Sequence, residues 1–477
     1  MKTKYISLLL SGALLLSTAA CKKTLDTINV NPNASQVAQP DYLLTGAIKA
    51  TSDTYWGVAT NLNSSLLFVQ HWAKIQYTDP DRYIFGNTAF SELWSVGYAK
   101  GIINLNEIIR QADVQSKPNY KGTALVLRSW IFTLLTDAYG DVPYTQAGNI
   151  NQYLLPKYDA QRDVYLGVLA DLKTAQAALS TSGSPIAGDI IYGGNIAYWK
   201  KFANSLRLRI ALRIADREPA IAKQVLADIQ AEGGSYINSN AEIAQLVYQA
   251  SPNQNPVSNI FDTRDDYRIS KTMVDQLTAL NDPRLPVYAN RAQDTQLYTG
   301  VPNGLLTNDA SGLGLSKTSK IGSYFSAPSA PAVIISYAEV LFDRAEAAAR
   351  GLTGENPADL YNQAIGASLA QYNVSSSAIA AYQALPAVQY DASNYKKSIG
   401  NQKWIALFGQ GLEAFAEWRR LDYPILTPAV AGTLNGAMPV RFIYPGTEQS
   451  LNPDQYKAAV AHQGADVLTT KLWFDVN

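Results

Sequence analysis

Two stretches of the 477-residue chain place aromatic rings beside planar polar groups, the pairing that grips a hydroxylated ligand. In the first, His71, Trp72, Gln76, Tyr77, Asp79, Asp81, Arg82 and Tyr83 fall close together; in the second, Asn253, Asn255, Arg264, Asp265, Tyr267 and Tyr324 lie in a segment broken by Pro, Gly, Asn and Ser. An aromatic face stacks on the apolar C–H face of a sugar, while Asn, Asp and Arg address its hydroxyls. The candidate ligand-binding set is therefore Trp72, Tyr77, Arg82, Tyr83, Asn255, Arg264, Asp265, Tyr267 and Tyr324. Packing in a core is the competing reading for every ring. Trp72, Tyr77 and Tyr267 stand out because their sequence neighbours are polar.

Catalysis finds less support. Asp262, Asp265 and Asp266 could supply the two carboxylates of a glycosidase. There is no Gly-x-Ser-x-Gly elbow, no phosphate loop ending in Lys-Ser/Thr and no dinucleotide fingerprint. His71 and His462 have no evident sequence partners and read as hydrogen-bonded structural histidines. Two His and one Cys exclude a disulfide framework and a Cys/His metal cluster within one chain. Asn29, Asn31 and Asn33 are spaced like calcium-loop ligands, yet the loop lacks its turn Gly and its closing Glu, so turn capping is the better reading. No catalytic residue, cofactor or metal is expected. The 39 Lys plus Arg balance 39 Asp plus Glu, and no basic run interleaved with aromatics occurs, which removes nucleic acid as a partner.

The N-terminus carries an address. Lys2 and Lys4 precede an apolar stretch from Ile6 to Leu16, and Ser17-Thr18-Ala19-Ala20 leads into Cys21, the only cysteine. The apolar stretch is too short to span a membrane, and small residues directly before Cys mark a bacterial lipobox. Residues 1–20 are expected to be a signal peptide and Cys21 the lipidated, palmitate-bearing N-terminus, although Thr18 stands where Leu is commonest. Removing Lys2 and Lys4 leaves 37 of the 39 basic side chains against 39 acidic ones. The polar, Asn/Pro-rich residues 21–40 read as a linker.

The elements that must hold the two clusters are mostly helices. Ala124, Leu127, Ile131, Leu134 and Ala138 recur at three- and four-residue steps, the stripe of an amphipathic helix over Tyr120–Ala138 that Gly140 ends. Similar stripes predict helices over Tyr55–Ala73, Phe90–Ala112, Arg162–Leu179, Asn195–Asp216, Ser336–Gly351, Pro357–Tyr372 and Gln402–Leu421. Paired helices of this kind resemble tetratricopeptide-type hairpins, without a clean 34-residue repeat signature. From Gly233 to Ile335 the period is lost. Few helices fit there, short strands could pair within it, and an irregular segment of that length is a binding-surface candidate. The expected fold is mainly α: a right-handed scaffold of tetratricopeptide-like hairpins with a large loop-rich insertion carrying a few short strands. It forms one domain over 41–477, with scaffold at about 41–232 and 336–421, insertion at 233–335 and a C-terminal segment at 422–477. Glu339, Asp343, Glu346 and Arg350 share one helix face, and Arg207, Arg209 and Arg213 offer partners, so helix-to-helix ion pairing is expected. Glu413 and Glu417 with Arg419 and Arg420 read as packing contacts of the same sort.

Several strings, in order, carry a family resemblance. Asn31-Pro32-Asn33 followed by Pro40-Asp41-Tyr42-Leu43-Leu44 opens the series, and Leu134-Leu135-Thr136-Asp137-Ala138-Tyr139-Gly140-Asp141-Val142-Pro143-Tyr144 is its most distinctive block. Gly188-Asp189-Ile190-Ile191-Tyr192-Gly193-Gly194 and the helix from Trp199 to Arg209 follow. Then come Ser336 to Leu341 with Arg344-Ala345-Glu346-Ala347, Glu413 to Arg420, and Arg441-Phe442-Ile443-Tyr444-Pro445. Over nearly its whole length the chain resembles the SusD/RagB family of Bacteroidetes outer-membrane nutrient-binding lipoproteins. The resemblance implies a lipoprotein on the cell-surface side of the outer membrane that binds a nutrient oligomer without chemistry. It also implies a partner, a TonB-dependent transporter of the SusC type. Family ligands include starch, other glycans and peptides, so a glycan is the leading expectation. A peptide ligand, a structural lid subunit with little affinity of its own, and, more distantly, a secreted glycosidase remain as alternatives.

Overall fold

The structure, a computed structural model, describes residues 38–476. The expected signal peptide, the lipidation site Cys21 and the Asn29–Asn33 turn lie outside the described residues. Helices of eight residues or more run in chain order as α1 Pro40–Tyr55, α2 Ile103–Val114, α3 Pro118–Tyr139, α4 Gln161–Ala178, α5 Ile196–Ile214, α6 Pro219–Ala231 and α7 Lys271–Ala279. They continue as α8 Tyr337–Ala349, α9 Pro357–Gln371, α10 Ser376–Gln383, α11 Tyr395–Ala406, α12 Gly411–Leu421 and α13 Pro453–Gln463. Their starts follow local chemistry. The side chains of Asn195, Ser336 and Asn356 accept backbone N–H groups at the heads of α5, α8 and α9. Proline opens α1, α3, α6, α9 and α13, where its missing N–H costs nothing.

Successive helices pack as hairpins, α2 on α3, α3 on α4, α4 on α5 and α5 on α6, then α8 on α9, α8 on α11 and α11 on α12. The two sets meet where α5 lies against α8. Trp56, Trp72, Trp130 and Trp199 are fully buried in one continuous core. The mainly α hairpin architecture is thus as the apolar stripes indicate.

The charged faces of α5, α8, α11 and α12 close on one another inside this core. Arg209 meets Glu339 at 2.5 Å, and Arg213 meets Glu413 at 2.7 Å and Glu417 at 2.6 Å. Lys403 pairs with Asp343 and reaches Glu417 at 2.7 Å, and Arg420 joins Glu346 to Glu417. Arg350 pairs with Glu346 at 2.7 Å as its position four residues on allows, and Arg207 pairs instead with Glu232 at 2.6 Å, just past α6. The carboxylate stripe of α8 is spent on cations and shut off from solvent. Each of its members would be costly to leave alone.

Three predicted helices are interrupted. The stretch from Tyr55 to Ala73 leaves α1, runs through a π-helical segment Val58–Ser65 and a short turn Leu66–Phe68, and ends extended in strand β1, Trp72–Lys74. Gly57 makes the first break, since a Cβ there would sit 2.6 Å from the Asp53 carbonyl. Every residue of β1 is buried, so its apolar run carries no period to separate strand from helix. The stretch from Phe90 to Ala112 contains a π-helical turn Gly97–Ile102, where Gly101 backs onto Ile131 of α3. The stretch from Gln402 to Leu421 divides at Gly409, whose φ of 88° turns the chain beneath Trp56 and Phe325.

Within 233–335, strand β2, Ala244–Val247, pairs antiparallel with β4, Pro331–Ile335, from Ala244↔Ile335 to Val247↔Pro331. Strand β3, Tyr267–Ile269, pairs outside the insertion with β1. Helix α7, capped by the Ser270 hydroxyl, also lies in this segment. The C-terminal segment packs back on the scaffold. Phe442 donates its N–H to the Ala138 carbonyl at 2.8 Å and stacks on Phe90 at 4.4 Å.

Candidate ligand-binding cleft

The pairing of β1 with β3 joins the two sequence clusters. Trp72 lies opposite Ile269, Ala73 opposite Arg268 and Lys74 opposite Tyr267. Under this ribbon Lys74 is buried in an ion pair with Asp266, and its ammonium sits 4.0 Å from the centre of the Tyr267 ring. Arg264 clasps the same carboxylate from the surface side, through Nε at 2.9 Å and Nη2 at 2.6 Å. The other face of that guanidinium meets the Tyr77 ring at 4.9 Å. Tyr77, at φ 52°, is held 66% exposed beside it.

Next to Arg264 opens a cleft of about 400 Å³. One wall is the turn from Phe261 to Asp265; the other is Asn290, Lys320 and Ile321, brought together by the isolated antiparallel bridge Ala289↔Ile321. Lys320 spans the rim to Asp265 at 3.0 Å, and Arg268 holds the same Asp265 oxygen at 2.9 Å. Burial pushes the Asp265 carboxyl up, but the hydrogen bonds from Lys320 and Arg268 outweigh it and hold the group below the usual carboxylate range. Asp266 balances the same way, burial being overcome by Arg264 and Lys74. Both are held as anions, the opposite of the raised pKa that a glycosidase acid requires. The cleft thus presents fixed charges of both signs, an amide and a ring edge, which can orient a neutral, hydroxyl- and amide-bearing ligand.

Of the nine candidate residues, Arg264, Asp265 and Tyr267 line this cleft, and exposed Tyr77 stands beside it against Arg264. Tyr324 is half-buried, with its ring edge-on to Tyr372 at 4.9 Å. Trp72, Asn255, Arg82 and Tyr83 are held in structural contacts away from it, and Tyr267 reaches it from a packed position. Trp72 is fully buried between Phe261, Tyr267 and Phe408, because its strand has no solvent face. Tyr267 stacks on Phe261 and donates its hydroxyl to Asn63 at 2.7 Å. Asn255 caps the short helix Pro256–Phe261 and donates to the Ala330 carbonyl. Arg82 and Tyr83 hold the 429–433 segment, Arg82 donating to the Ala431 carbonyl at 3.1 Å and the Tyr83 hydroxyl accepting from the Ala429 N–H at 3.0 Å. Asp81 is also structural, accepting from the Lys74 N–H at 3.0 Å and Asn303 at 2.8 Å; burial raises its pKa to about 6. Asn290 and Lys320 were missed, since nothing in the sequence links 290 to 320. His71 is buried with Nε2 3.0 Å from the Trp404 carbonyl, and His462 has a partner that sequence did not show, Asp141 at 2.6 Å.

No helix among the described residues is long and apolar enough to cross a membrane. The sequence model of a SusD-like family described as "starch-binding associating with outer membrane" matches residues 32–445. A solved chitin-binding protein superposes with a TM-score of 0.84 at 30% identity, covering 92% of this chain and 100% of its own. A chitin-binding SusD homolog from Flavobacterium johnsoniae gives 0.82 at 25% identity, covering 91% of this chain and 99% of its own. A SusD homolog from Bacteroides fragilis, at 24% identity and a TM-score of 0.78 over 92% of this chain and 100% of its own, shares the fold. No curated protein matches the chain. With the family's sequence model spanning most of its length and these folds superposing on nearly all of it, the chain belongs to the SusD/RagB family.

Proposed function

We propose that this protein is an outer-membrane surface lipoprotein, acylated at Cys21, that binds a glycan oligomer without cleaving it. It would pass the glycan to a TonB-dependent transporter of the SusC type. The observation that carries the binding is the cleft lined by Arg264, Asp265, Asn290 and Lys320, fixed polar groups with the exposed Tyr77 ring beside them on Arg264. The chitin-binding relatives make β-linked N-acetylhexosamine oligomers the first ligands to try, since an acetamide can use both a carboxylate acceptor and an ammonium donor.

Isothermal titration of the mature protein against chito-oligosaccharides, malto-oligosaccharides and short peptides tests this reading. Saturable heat with a glycan and unchanged glycan after prolonged incubation are expected. Binding confined to peptides would replace the ligand class, absence of any binding would favour a structural lid of the transporter, and turnover of a glycan would make the protein a hydrolase.

A further inference from the structure

The polar groups of the cleft are partly spent on one another, and those left over have a fixed sense. Arg264 gives Nε and Nη2 to Asp266, so Nη1 is the donor it keeps. Lys320 and Arg268 both take Oδ1 of Asp265, which leaves Oδ2. Asp262, on the same wall, accepts from Gln254 Nε2 at 2.5 Å.

Asn290 is the group whose orientation the fold dictates. Its backbone N–H donates to the Lys320 carbonyl at 2.9 Å, beside the Ala289↔Ile321 bridge, and its Nδ2 donates to the Ile321 carbonyl at 3.2 Å. A carbonyl can only accept, so the amide nitrogen must face Ile321 and the amide oxygen must turn away from it. Asn290 Oδ1 accepts from no group among the described residues, and the side chain is exposed in the cleft wall.

A hydroxyl rotates to donate or to accept, so it discriminates poorly between a fixed donor and a fixed acceptor. A secondary amide cannot rotate in this way. Its N–H and C=O point in opposite directions across a rigid plane, so it needs an acceptor on one side and a donor on the other, with apolar surface for its methyl group. The cleft holds such a set: Asn290 Oδ1 on one wall, Arg264 Nη1 on the other, and apolar surface from Phe261 and Ile321. The walls are near enough for the Lys320 side chain to bridge them.

We infer that Asn290 makes this site selective for an N-acetylated sugar over its hydroxyl and free-amine analogues. Asn290 Oδ1 accepts the acetamide N–H, Arg264 Nη1 donates to the acetamide carbonyl, and Asp265 Oδ2 is left for ring hydroxyls. An ammonium in the same place would face Arg264 and Lys320 and bring no carbonyl for Nη1. The inference rests on the proposal that this cleft binds a glycan and adds the residue that reads the substituent on the sugar's second carbon.

Titration calorimetry of the mature protein with chitotriose, cellotriose and the fully deacetylated glucosamine trimer compares an acetamide, a hydroxyl and an ammonium on the same β-linked backbone. Chitotriose should bind at least ~10-fold more tightly than either analogue, the effect of one well-placed hydrogen bond. Asn290→Ala should weaken chitotriose at least ~5-fold, leave cellotriose within ~2-fold and move Tm by less than ~1 °C, because the side chain is exposed. Equal wild-type affinities for chitotriose and cellotriose, tighter binding of the glucosamine trimer, or binding confined to malto-oligosaccharides overturns the inference and leaves glycan binding in place. So does an Asn290→Ala variant that keeps the full preference, or one that loses both neutral trimers in proportion, the mark of a wall that has lost its shape. A wild-type protein that binds no glycan at all removes the proposed function and this inference together.

Discussion

Asp266→Asn is the sharpest test of how the cleft is held. The substitution keeps the shape and removes the charge that faces Lys74, whose side chain is 1% exposed. The ammonium's other acceptor is the neutral Asn63 Oδ1 at 3.5 Å. Breaking a buried pair by neutralising one partner costs about 3–5 kcal/mol. At roughly 1 kcal/mol per kelvin for a chain of this length, Tm should fall by ~3–5 °C in thermal unfolding followed by circular dichroism. The deficit carries a sign with pH. Burial depresses the Lys74 pKa, with Asp266 as its main opposing support, and that support is lost in the variant. The folded state then favours neutral Lys74 while the unfolded chain keeps it charged below about 10.5, so the deficit is largest near neutrality and narrows as pH rises toward 10. Arg264 also loses its two-point anchor, and its contact with Tyr77 should loosen, weakening glycan binding. A deficit below ~1 kcal/mol that does not change between pH 7 and 9.5 would refute the buried pair as the brace of this site.

Other outcomes follow from the same geometry. Tyr77→Ala should leave Tm within about 1 °C, because the ring is mostly exposed, yet lower glycan affinity about 10-fold in titration calorimetry; equal affinity would remove Tyr77 from the site. Burial lowers the His71 pKa to about 3, so its neutral form contributes stability above pH 6.5 that is lost as pH falls toward 3. The limit is ~5 kcal/mol, and His71→Phe should flatten that acid limb in urea titrations. Arg213→Met takes the closest cation from Glu413, which keeps only Arg209 at 3.4 Å, and the cation 3.2 Å from buried Asp137, while Glu417 keeps Lys403 and Arg420; it should cost about 3 kcal/mol, read as a lower urea midpoint or as loss of soluble protein.

The helical scaffold was legible because its signals are local. Asn195, Ser336 and Asn356 cap where polar residues precede an apolar stripe, and Gly140 ends α3 at a positive φ of 89°. The π-helical turn at Gly97–Ile102 and the extended Trp72–Lys74 were not, because close approach of α3 and pairing with β3 decide them. The same long-range pairing explains the site. Trp72 looked accessible because Gln70 and His71 are polar, yet its spatial neighbours are Phe261, Tyr267 and Phe408. Arg264 and Asp265 were found because the turn carrying them is itself polar and exposed. Lys320 reaches Asp265 through a bridge between residues 289 and 321 that no spacing rule reveals.

The most direct measurement is a structure of the protein with a bound chito- or malto-oligosaccharide. The account predicts sugar rings in the cleft between Tyr77 and Lys320, with Arg264, Asp265 and Asn290 within hydrogen-bond distance of hydroxyl or amide groups. An oligosaccharide seated elsewhere, for instance in the cleft around His462 and Trp473, with this one empty, would contradict it.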